Sequence, residues 1–106
     1  MVTPSAYAEL AQRALDWPGV AEGRILHATG LKAGGRVFAF PRRDELVLKL
    51  PAARCTELVE QGVARRFDKG DGRPLREWVA VPAARADRWE ELAREARAFV
   101  APPVPS

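Results

Sequence analysis

Asparagine is absent from this sequence, and histidine, cysteine, tyrosine and methionine occur once each. Each shortage removes a class of chemistry. Cys55 alone cannot close an internal disulfide, so the cytosol is the expected compartment. His27 has no second histidine, cysteine or carboxylate at metal-ligand spacing, which leaves no metal site to expect. The serines are only Ser5 and Ser106, close to the two ends, and no G-x-S-x-G is present to build a nucleophile. The adjacent carboxylates Asp44 and Glu45 fall in a predicted turn, a solvated setting ill-suited to acid–base work. Long apolar runs are missing too: nothing approaches the ~20 residues of a membrane span. The first residues do not follow the basic-then-apolar order of a signal peptide. The glycine-rich segment 30–35 matches neither the phosphate-loop nor the dinucleotide-binding pattern, and Asp68 and Asp71 lack the spacing of a calcium loop. The expectation is a protein with no catalytic residue, cofactor or metal, and with no membrane partner.

What is present fits a single α+β domain over 1–101 followed by a proline-rich tail at 102–106. With 106 residues, 47% of them hydrophobic and 29% charged, the chain is globular in composition. A chain of this size buries about two-thirds of its unfolded surface. The net charge is +3, but it is unevenly spread. Residues 24–76 hold 12 Lys/Arg against 6 Asp/Glu, whereas the flanks hold 5 against 8. The basic excess thus belongs to the middle of the chain, which points weakly to a polyanionic partner. The competing reading is that 14 arginines against 3 lysines reflects coding bias and ordinary solvation.

Residues 4–16 predict a first helix, capped by Thr3 with Pro4 in its first turn. Tyr7, Leu10, Ala11, Ala14 and Leu15 form its apolar stripe, and Trp17 is expected to pack over its end. A short strand is expected at 24–29, a tight glycine turn at 30–35, and then a hairpin. The hairpin strands are 36–40 and 45–50, joined by Pro41-Arg42-Arg43-Asp44. Leu46, Leu48 and Leu50 share one face and make the core, with Phe38 and Phe40 as expected partners; Val47 and Lys49 share the other face. Pro51 to Gly62 predicts a second helix with Cys55, Leu58 and Val59 inward. A short strand or arm at 63–67, a polar loop at 68–74 and a strand at 76–81 follow, with Trp78 and Ala80 on one face. Pro82 opens a last helix to about residue 100, striped by Trp89, Leu92, Ala93, Ala96, Phe99 and Val100. The expected fold is an antiparallel sheet of about five strands with helices on one side.

Basic residues interleaved with aromatics are the remaining functional signal. Arg42-Arg43 lies at the hairpin tip, Arg65-Arg66 on the following arm, and Lys69, Arg73 and Arg76 around the polar loop. Such a tip has the makings of a wing that reaches phosphates or a narrow minor groove. Equally, tips are polar because they are wet.

The runs Arg24-Ile-Leu-His-Ala-Thr-Gly-Leu31, Gly35-Arg-Val-Phe-Ala39 and Glu45-Leu-Val-Leu-Lys-Leu50-Pro51 resemble the N-terminal domain of the TfoX/Sxy family. They are similar also to the MmcQ/YjbR family, and Phe67, Gly72-Arg73-Pro74-Leu75-Arg76-Glu77-Trp78-Val79, Trp89 and Ala98-Phe99-Val100 continue the likeness over roughly residues 5–100. The resemblance implies a double-wing fold, like the C-terminal domain of the phage activator MotA, and a DNA-binding or transcription-linked role. It marks Gly35, Phe38, Ala39, Leu48 and Trp78 as fold determinants, and Arg36 and Lys49 as basic positions of the shared pattern. DNA is therefore the expected partner. The alternative is a protein-interaction module, pairing with another protein or with itself as a homodimer.

Overall fold

The computed structural model describes residues 6–25, 28–68 and 74–101. The expectations for Thr3, Pro4, His27, Lys69, Arg73 and the tail 102–106 fall outside them. The described chain is α+β: helix α1 (Ala6–Ala14), strands β1 (Val20–Ile25), β2 (Ala28–Ala33), β3 (Arg36–Arg42) and β4 (Glu45–Lys49), helix α2 (Ala52–Glu60), strands β5 (Arg65–Asp68) and β6 (Pro74–Pro82), a 3-10 turn (Ala83–Arg88) and helix α3 (Trp89–Val100). The strands form one six-stranded sheet in the order β1-β2-β3-β4-β6-β5, with every neighbouring pair antiparallel.

The sheet has six strands rather than about five because the expected strand at 24–29 is two strands. Ile25 of β1 faces Ala28 of β2, so the chain reverses between them with no glycine or proline to signal it. Most of the glycine-rich segment is likewise strand, and only Gly34 and Gly35 make the turn into β3, with φ of 60° and 80°. Both values lie in the left-handed region that a residue without Cβ enters freely.

Leucines at alternate positions of β4 explain the main core. Leu46, Leu48 and Leu50 are fully buried, beside Val79 and Val81 of β6. Leu10, Ala11 and Ala14 of α1, Cys55 and Leu58 of α2, and Trp89, Leu92, Ala93 and Ala96 of α3 close over them. All three helices therefore cover one face of the sheet. α2 begins without a side-chain cap and ends at Gly62, whose φ of 74° lets the chain turn back. There the amides of Gly62 and Val63 donate to the Val59 and Leu58 carbonyls. α3 begins only after the 3-10 turn, where Arg85 (φ −116°, ψ 30°) breaks the helical path expected from Pro82 onward.

Two expectations fail in detail. Leu15 does not join the stripe of α1: the helix ends at Ala14, Leu15 stays 41% exposed, and Trp17 takes the buried place over the helix end. Phe40 does not pack on Leu46, Leu48 and Leu50. Leu31 pairs with Ala39 but Lys32 with Val37, so β3 carries a bulge with Phe38 as the extra residue. The bulge resets the alternation. Phe38 and Ala39 both enter the helix-covered core, and Phe40 emerges on the opposite face.

Candidate nucleic-acid interface

The face of the sheet away from the helices has its own small apolar cluster. Val47 and Ala80, paired across β4 and β6, are fully buried there although no helix covers them. Phe40, Phe67, Leu75 and Trp78 do the covering. The Phe40 and Phe67 rings meet edge to face at 5.8 Å, and Phe40 meets Trp78 at 5.7 Å with a 56° tilt. These three aromatics come from β3, β5 and β6 and converge because β6 inserts between β4 and β5.

Cations ring this cluster. The Arg42 guanidinium stands 5.2 Å from the centre of the Phe67 ring, and the Lys49 ammonium 5.4 Å from the centre of Trp78. Each such contact is worth about 0.5–1 kcal/mol at an exposed site. Lys49 also lies 3.8 Å from Glu77, a half-exposed pair worth about 0–1 kcal/mol. Arg65 is held more firmly: Nη2 and Nε donate to the two Glu45 carboxylate oxygens at 2.5 and 3.0 Å, and this hydrogen bonding raises the guanidinium pKa further. Lys32 joins the same face, since its neighbours Leu31 and Ala33 both point into the helix-covered core. A Cβ on Gly23 would lie 2.5 Å from Lys32 Cε, so Gly23 makes room for the lysine to cross β1. Arg43 sits in the two-residue turn between Arg42 and Glu45, in the left-handed region with φ of 57°.

At the other end of β3, Arg36 and Lys49 share a hollow of about 550 Å³. Val37, Glu77, Trp78, Phe99 and Val100 complete its lining. Arg66 turns the opposite way from Arg65. Its Nη2 donates to the Thr56 hydroxyl of α2 at 2.6 Å and Nη1 to the Arg76 carbonyl at 3.5 Å. Arg66 and Arg76 border a second hollow beside α2, with Ala52, Ala53 and Thr56.

The nine basic residues expected to contact nucleic acid are thus divided. Arg42, Lys49 and Arg65 share the helix-free face, with Arg36 and Arg43 at the two ends of β3. Arg66 and Arg76 lie at the α2 edge, and Lys69 and Arg73 lie outside the described residues. No family model, curated protein or solved structure matches this chain. The site therefore stands on its own geometry.

Other chemistry finds little support among the described residues. Cys55 is buried, its thiol pushed up by desolvation, with Sγ 3.5 Å from the Leu50 carbonyl. No group of three or more histidine, cysteine or acidic residues is gathered as a metal site, and no helix is long and apolar enough to cross a membrane. Sequence reasoning missed Phe40, Phe67 and Lys32 as parts of the site. The bulge that turns Phe40 outward and the neighbourhood of the strands were not visible in the sequence.

Proposed function

We propose that this domain binds nucleic acid, using the helix-free face of the sheet and the β3–β4 tip to contact phosphates. One observation carries the reading. Arg36, Arg42 and Arg43, all on β3 or its turn, have no carboxylate partner among the described residues. On the helical side Arg13 pairs with Glu90 and Arg54 with Glu95 between helices, and Arg54 with Glu57, Arg88 with Glu91 and Arg94 with Glu90 locally. On the same face Arg65 is held by Glu45, so Arg36, Arg42 and Arg43 are the arginines there left available to a ligand. Unneutralised charge beside aromatic surface suits a polyanion that also presents flat rings. The reading agrees with what the likeness to the TfoX/Sxy and YjbR families implies, with the β3–β4 hairpin as a wing of the double-wing type.

The test is a titration of labelled DNA, as duplex and as single strand, at about 50 and 200 mM salt. Three or so phosphate contacts should give a log–log salt slope of about −2 to −3. Arg42→Glu with Arg43→Glu should weaken binding at least about tenfold and flatten the slope by about 2. Absence of binding to either form at low salt would remove the proposal. Salt-steep binding that the double change leaves intact would move the contact surface away from the tip.

A further inference from the structure

We infer that the nucleic acid this surface takes is single-stranded, with an unpaired base seated on Trp78 in the hollow between Arg36 and Lys49. This rests on the nucleic-acid reading above and narrows it. A duplex presents phosphates and groove edges but keeps the faces of its bases stacked. A single strand offers both phosphates and free base faces, and aromatic side chains on open sheets take such faces by stacking.

The hollow matches those requirements. Its volume of about 550 Å³ falls within the range of small-ligand sites, roughly 300–1,000 Å³. Trp78 is half-buried, so part of the side chain remains accessible. Phe40, its ring centre 5.7 Å away, packs beside the indole. Two cations stand on the rim, Arg36 from the start of β3 and Lys49 from β4, and Arg36 has no carboxylate partner among the described residues. Glu77, also on the wall, is an acceptor suited to an exocyclic amino group. Lys49 now covers the Trp78 ring. Its flexible stem allows the ammonium to swing to a phosphate as a base takes its place over the indole. Arg42 and Lys32 lie on the same side and extend the track for a backbone.

Trp78 also supplies the readout. Trp17 and Trp89 are buried at 8% and 4% exposure, so a stacking ligand reaches the emission of Trp78 first. The experiment titrates the full chain with oligothymidylate and oligouridylate of about 12 nucleotides and with a duplex of equal length. Tryptophan emission and labelled-strand anisotropy are followed together. The expected result is saturable quenching by single strands, with affinity at least about fivefold above that for the duplex. Trp78→Leu should lower single-strand affinity by about tenfold and leave the duplex value nearly unchanged. The deoxy and ribo arms separate DNA from RNA, and a single-strand preference in either supports the inference. Duplex binding as tight as single-strand binding overturns it and leaves the nucleic-acid reading standing. No binding to any of the three at low salt overturns both. If Trp78→Leu fails to fold, the wild-type comparison of strand forms still decides.

Discussion

Arg43 is where fold and function pull apart most clearly. Its left-handed φ costs a residue with a Cβ about 1 kcal/mol relative to glycine. Arg43→Gly should therefore raise thermal stability by about 0.5–1 kcal/mol while it weakens nucleic-acid binding. Calorimetry and the binding titration on the same variant check both halves. A change that improves the fold and harms the ligand is what a functional arginine in a strained turn predicts. Tyr7 gives the pH prediction. Its hydroxyl is buried with no hydrogen-bond partner among the described residues, and burial, helped by Glu22, pushes its pKa up from 10.0 to about 12. An acid whose folded pKa is raised favours the fold while it stays protonated. That contribution is complete below pH 10 and disappears as pH climbs toward 12. Tyr7→Phe should lose less stability than the wild type across that window, as followed by alkaline unfolding. At neutral pH it should be neutral or slightly stabilising, since an unsatisfied buried hydroxyl is removed.

Among the elements, β3 sets what was legible in the sequence and what was not. The alternation of β4 and β6 could be read directly, because Leu46, Leu48 and Leu50 and then Val79 and Val81 repeat every second residue. So could the stop at Gly62. The bulge could not, because it is one extra residue that no composition marks, and it moves Phe40 to the far side of the sheet. The two phenylalanines should consequently respond differently to truncation. Phe38→Ala removes a fully buried ring from the main core and should cost about 3–5 kcal/mol in chemical denaturation. Phe40→Ala empties only a half-buried place in the small cluster and should cost clearly less. Equal losses would mean that β3 alternates without interruption. The reversal between β1 and β2 was missed for a related reason: no turn residue announces it. Of the site, the charges were legible as motifs. The meeting of Phe40, Phe67 and Trp78 required knowing that β6 lies between β4 and β5.

At the scale of the molecule, carboxylate pairing among the described residues is denser on the helical side than on the sheet face. The helical side is knitted by arginine–carboxylate pairs between elements, such as Arg13 to Glu90 and Arg54 to Glu95 at 2.6 and 2.9 Å. The sheet side keeps Arg36, Arg42 and Arg43 free of carboxylates. Arg85 is an exposed arginine of the 3-10 turn, outside the sheet strands, and offers a control matched in charge. Arg85→Glu changes net charge by the same amount as Arg43→Glu. It should leave affinity within about twofold, while Arg43→Glu should lower it severalfold at low salt. If both changes act alike, attraction depends on total charge rather than on this face.

The contacts of α1 with α3 bear on the order in which the chain assembles. The Arg97 guanidinium donates twice to the Pro18 carbonyl, at 3.0 and 2.8 Å, from 79 positions away. Arg13 reaches Glu90, and Arg94 covers the Trp17 ring at 4.4 Å. During synthesis α1 is made before the sheet, yet its partners on α3 emerge after it. At nine residues it is too short to hold its helix alone in water. Docking of the two ends thus closes the longest loop in the domain, a step whose entropy delays it in folding. Until α3 is made, Trp17 lacks the cover of Arg94, and the Pro18 carbonyl lacks the two bonds from Arg97.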